Sequence, residues 1–164
     1  MKTHNKISIF CLSTVLAVSA YAADGLKHRD HEFVEKAAKS GMEEVSISKV
    51  AVDRAQNPQI KDFAQMMVTD HTGANSELTM IATNKAVTLP EDKTNVEKWS
   101  NRSAKDFDQE YIEKMVSDHK EAVELFEKEA KNGEDADLKA FAEKTLPTLQ
   151  AHLDKAKALK MEVK

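Results

Sequence analysis

Asn57-Pro58-Gln59-Ile60-Lys61-Asp62-Phe63-Ala64-Gln65-Met66-Met67-Val68-Thr69-Asp70-His71 is the stretch that decides the fold. Proline has no N–H to donate and biases the residue before it away from helical angles. Asn57-Pro58 therefore ends one helix, while proline suits the first turn of the next. From there apolar residues recur at steps of three and four: Ile60, Ala64, Met67, then Ala74, Leu78 and Ile81. That spacing belongs to a helix with one buried stripe. His71 stands in the middle of the stripe.

Working outward, the same pattern marks three more helices. The first runs over about 30–55 and the second over 58–86. A polar connection at 87–105 holds Pro90 and a short helix near 95–100. The third helix covers about 106–131 and stops at Asn132-Gly133, and the fourth runs from about 135 to 160. Pro147 lies inside the fourth helix, where a kink is expected. Short links at Asn57 and Gly133 make two antiparallel hairpins, and the long middle connection can cross the end of the bundle. Helices of this length reach roughly 37 Å at 1.5 Å per residue. The sequence predicts an all-α fold: an antiparallel four-helix bundle with a long connection between its second and third helices.

Composition agrees. The 164 residues support one domain; apolar residues make up 41%, aromatics 5%, with four Gly and three Pro, which disfavours a β-sandwich, a barrel or a disordered chain. A net charge of −4 speaks against general nucleic-acid binding, which needs a basic face.

Lys2 and Lys6 precede an apolar run at 7–20 that ends in Ala20-Tyr21-Ala22. A basic start, a short apolar stretch and a small-x-small end read as a signal peptide over residues 1–22, leaving a bundle domain at 23–164. The run is too short for a comfortable membrane span. Removing Lys2 and Lys6 takes the charge from −4 to −6 and removes the single cysteine, Cys11. The mature chain then has no disulfide, zinc–thiolate or iron–sulfur site, and no thiol nucleophile. The expected address is the bacterial periplasm.

Each seam carries one polar residue near its middle. The second helix has His71. The third has His119 in Ile112, Val116, His119, Val123, Phe126. The fourth has His152 in Leu138, Ala142, Thr145, Leu149, His152, Ala156, Leu159. The first has Glu44 in Val34, Ala37, Gly41, Glu44, Ser48, Ala51. Glu44 and His71 lie equally far from the Asn57-Pro58 turn, so they should face each other. His152 lies further from Gly133 than His119 does; loop residues absorb part of the difference, and an offset of a few ångströms could remain.

An unpartnered buried carboxylate is costly, and so is a buried charged imidazole. One divalent cation held by Glu44, His71, His119 and His152 satisfies all four. Such a donor set suits zinc, copper or iron, one ion per chain. The alternative is a metal-free polar network in the core of an envelope stress or interaction protein. If only three side chains bind, the open position admits water and hydrolytic or redox chemistry; a binding protein is the favoured reading over an enzyme. Met67-Val68-Thr69-Asp70-His71 and Met115-Val116-Ser117-Asp118-His119 echo each other. Asp70 and Asp118 point about 100° from their neighbouring histidines, so each is expected to orient a histidine of an adjacent helix or to face solvent.

His28 and His31 read as an ordinary exposed start. The methionines Met42, Met66, Met67, Met80 and Met115 read as core filler. There is no Glu-x-x-His, the paired motif of di-iron carboxylate bundles, and no phosphate-cradling glycine loop or Gly-x-Ser-x-Gly. No nucleotide and no haem is implied.

The chain resembles the bacterial DUF4142 family from about residue 30 to 159. The resemblance rests on Gly41-Met42-Glu43-Glu44-Val45, the run from Phe63 to Thr72, Ala74-Asn75-Ser76-Glu77-Leu78, Leu89-Pro90, Phe107-Asp108-Gln109-Glu110-Tyr111, Met115-Val116-Ser117-Asp118-His119 and Leu146-Pro147 through His152-Leu153. It implies a periplasmic protein with a ferritin-like four-helix bundle and assigns no activity.

Overall fold

In the computed structural model, which describes residues 25–163, the helices form where the apolar stripes place them: α1 His28–Arg54, α2 Pro58–Asn84, α3 Val96–Ser100, α4 Ala104–Asn132 and α5 Ala136–Glu162. No strand occurs among the described residues. The signal peptide expected at 1–22 lies outside them. None of the described helices is long and apolar enough to cross a membrane.

Local chemistry sets the helix ends. The Asn57 side chain accepts from Gln59 N at 2.8 Å, with Pro58 in the first turn of α2. Asp135 caps α5 by accepting from Asp137 N and Leu138 N, both at 3.1 Å. At the far end of α2, Val87 N donates to Ala82 O and Ala86 N to Thr83 O, with Ala86 left-handed at φ 55. This is the double-bonded helix stop that usually takes glycine. Gly133 ends α4 with an ordinary negative φ of −57. Glycine is needed there for space, because a Cβ would lie 2.6 Å from Glu129 Oε1. The helix α5 runs unbroken through Pro147.

Cross-helix partners fix the topology. Helices α1 and α4 are antiparallel, since Asp30 meets Glu134 while Gln56 meets Asp108. Helices α2 and α5 are antiparallel too, through Lys85–Asp137 at one end and Asp70–His152 further along. All four neighbouring pairs are therefore antiparallel, and α2 and α4, on the diagonal, run the same way. The connection between them has to return along the length of the bundle, not across its end as the sequence suggested. It does so beside α1, where Asp92 accepts from Ser46 Oγ and Arg102 O accepts from Arg54.

The apolar core comes in two parts. One contains Ile47, Ile60, Phe63, Met67, Phe107, Tyr111, Ile112 and Met115. The other contains Phe33, Val34, Leu78, Phe126, Leu138, Phe141 and Leu149. Burying each large side chain contributes roughly 1.5–3 kcal/mol. Between the two parts, on all four long helices, lies a polar layer.

Candidate metal centre

The layer consists of Glu44 from α1, His71 from α2, His119 from α4 and His152 from α5, each at most 5% exposed. The three imidazole rings form a triangle with every centroid separation 5.4 Å. His152 is thus as near to His71 and His119 as they are to each other. One ring nitrogen from each histidine lies within 4.8 Å of the other two.

Each ring is anchored through one nitrogen. His119 Nδ1 lies 2.9 Å from Met115 O, a carbonyl that can only accept, so Nδ1 carries the proton. His71 Nδ1 lies 3.1 Å from Glu44 Oε2, and His119 Nδ1 also lies 3.4 Å from Glu44 Oε1. His152 Nε2 lies 2.9 Å from Asp70 Oδ2. The remaining nitrogens, His71 Nε2, His119 Nε2 and His152 Nδ1, are buried and have no hydrogen-bond partner. When the acceptors take the anchored N–H groups, each free nitrogen presents a lone pair.

Burial sets the charge state. It pushes His71 down to about 3, with His119 and His152 adding to the effect. It pushes His119 down to about 4, with His152 next in weight. His152 is also lowered by burial, against the pull of Asp70. Burial, seconded by Asp118, holds the Glu44 carboxyl well above the usual carboxylate range. The rings are thus neutral at pH 7, the form a metal requires. Burial favours the uncharged form of Glu44 as well, and its Oε1 keeps no hydrogen-bond partner.

Three convergent neutral imidazole nitrogens fit a transition metal. With metal–nitrogen bonds of about 2.0–2.1 Å, tetrahedral ligands stand roughly 3.3 Å apart, so the rings need only a small inward movement. Glu44 engages the other nitrogen of His71 and His119. Asp70 reaches across to His152, the cross-helix contact its direction on α2 suggested. Asp118 touches no histidine; its Oδ2 lies 2.9 Å from Lys114 Nζ. Three features escaped the sequence: the Met115 carbonyl that fixes the His119 tautomer, the buried Ser48–Tyr111 hydroxyl pair at 2.9 Å one turn from Glu44, and Lys114. Only the last leaves a trace in sequence, as an i,i+4 pair with Asp118.

A cleft of about 610 Å³ opens onto this layer from the side, lined by Glu44, His71 and His152 among others. Gly41 shapes its wall, since a Cβ there would collide with the Asn75 side chain. His28 and His31 are exposed in the first turn of α1. Met67 and Met115 are fully buried in the core, whereas Met80 is 61% exposed.

Residues 16–159 match the family described as Domain of unknown function (DUF4142). The chain belongs to this family. No curated protein matches it. Among solved structures it is similar to a DUF305 fragment from Deinococcus radiodurans, with a TM-score of 0.73 at 9% identity over 84% of this chain and 99% of that one. It is also similar to CopM in the Cu(I)-bound form, with a TM-score of 0.71 at 17% identity over 81% of this chain and 96% of that one. A silver-soaked form of CopM gives 0.68 at 18% identity over 81% and 95%. At these identities the likeness is one of fold: this DUF4142 chain shares a helical bundle with them.

Proposed function

We propose that this DUF4142 protein binds one transition-metal ion in its bundle core, as a binding protein rather than an enzyme. His71 Nε2, His119 Nε2 and His152 Nδ1 are the ligands. Glu44, the fourth member expected from sequence, orients His71 and His119 and supplies negative charge beside the ion; Asp70 does the same for His152. The observation that carries this reading is a set of three buried histidines from three helices, each offering a nitrogen within 4.8 Å of the other two and each keeping one nitrogen without a hydrogen-bond partner. Leaving each unsatisfied costs about 1–3 kcal/mol. A metal-free network explains the anchored nitrogens and leaves the convergent ones unexplained.

Imidazole donors suit copper, zinc and iron, and the general affinity order puts Cu(II) above Zn(II). The bundle similarity to CopM, whose structures include copper- and silver-bound forms, favours copper as the first ion to test. The signal-like residues 1–22 support a periplasmic binding event. There the ion would tie four helices together.

The test is elemental analysis of the untagged protein after equilibration with Cu(II) or Zn(II) and gel filtration. One equivalent is expected, with none retained by His71→Ala/His119→Ala. An ion at one hundred times its Kd raises stability by about 2.7 kcal/mol, visible as a higher Tm. No retained metal and no thermal shift with copper, zinc or iron would sink the proposal in favour of the metal-free interaction protein.

A further inference from the structure

The cleft has a second charged group above the histidine layer. Lys114 Nζ lies 3.0 Å from Glu43 Oε1 and 2.9 Å from Asp118 Oδ2, bridging α1 and α4. Side-chain exposure falls from 38% at Glu43 through 24% at Lys114 and 19% at Asp118 to 2% at Glu44. These four residues all line the cleft. Among the lining residues, Glu44 Oε1 is buried without a hydrogen-bond partner, as are His71 Nε2 and His152 Nδ1. The lining carries six carboxyl groups against four lysines. Leaving Glu44 out, the carboxyl groups still outnumber the lysines, so the lining favours a cation.

We propose that Glu43 and Asp118 form a transit site for a divalent cation, held ready by the Lys114 ammonium. This rests on the metal-binding reading and deepens it. Two carboxylates facing each other at a cleft mouth repel unless a cation sits between them. The ammonium fills that place while no metal is present. Lys114 reaches in from an i,i+4 position on α4 and swings out when a hydrated cation replaces it. The carboxylates then hold the cation one step above the imidazoles, where its waters are exchanged for ring nitrogens. No bond to Lys114 forms, and the ion alone moves.

The experiment is stopped-flow binding of Co(II) alone to the full untagged chain, followed by the visible absorption of a nitrogen-ligated cobalt site. Glu43→Gln/Asp118→Asn should slow association about tenfold. Lys114→Met should speed both association and dissociation severalfold. A charge-matched control on the exposed surface, Glu127→Gln/Glu143→Gln, should leave both rates within twofold of wild type. Circular dichroism checks that each variant is folded, and Lys114→Met keeps the test open if the double carboxylate variant is not. Unchanged rates in the cleft variants overturn the transit site while leaving the histidine site intact. Equal slowing in the control overturns it as well, because long-range charge then explains the effect. No cobalt signal in the wild type overturns both the transit site and the function it rests on.

Discussion

Two carboxyl groups of α1 are almost wholly buried, Asp30 at 1% exposure and Glu44 at 2%. Asp30 sits at one end of the bundle and accepts from two backbone amides, Glu134 N at 3.2 Å and Asp135 N at 2.8 Å. Each oxygen has a donor, and the group ties α1 to the turn between α4 and α5. Glu44 sits mid-bundle against two imidazoles and keeps one oxygen without a hydrogen-bond partner. Burial by itself separates nothing here. What separates a structural carboxylate from a functional one is what remains unpaired around it.

The contrast yields three measurements. The largest effect belongs to Asp30→Ala, which strands two amides at the turn. It should lower stability by about 3 kcal/mol in urea melts, while metal affinity stays within twofold of wild type. A parallel loss of metal affinity would break the distinction. Glu44→Gln is the mirror case. Metal affinity, read by competition with a chelator, should fall 10- to 100-fold, about 1.4–2.7 kcal/mol. The metal-free variant should be no less stable than wild type, because an amide fills the same volume and, like the protonated carboxyl, carries no charge. Unchanged affinity would assign Glu44 to packing alone.

The smallest effect is on pH. Unfolded histidines take up protons near 6.5, whereas folded His71 waits until about 3 and folded His119 until about 4. Between these values the unfolded chain holds more protons, so acid favours unfolding. Glu44, raised in the fold, holds its proton when the unfolded carboxyl has lost its own, and so opposes one of the two histidines. The metal-free protein should therefore lose about 1 kcal/mol between pH 6 and pH 5. His71→Asn should weaken that dependence, and equal melting temperatures at both pH values would contradict the assignment of neutral buried rings.

Much of the site was visible as pattern. Glu44, His71, His119 and His152 each interrupt an apolar stripe, and a helix's 3.6-residue repeat converts that spacing directly into a shared inward face. The level of Glu44 against His71 followed from the tight turn at Asn57-Pro58, which leaves little freedom in register. His152 was harder. It lies 16 residues after the start of α5 at Ala136, whereas His119 lies 13 before the end of α4 at Asn132, so residue counts alone leave its level open. Lys114 was passed over because a lysine four residues before an aspartate normally faces water. The direction of the middle connection was equally hidden, since nineteen or so polar residues can span either the end or the length of a bundle.

The sequence by itself determined the helices, their buried faces and the single polar residue on each face, because these depend on local geometry that the backbone repeats turn after turn. Only the tertiary structure decided which nitrogen of each ring is tied down and which is left free. That choice depends on acceptors brought in from other helices, Glu44 from α1 for His71 and Asp70 from α2 for His152, beside the Met115 carbonyl one turn back on the same helix for His119. A ring can turn either nitrogen toward the core, and only its packed neighbours select between them.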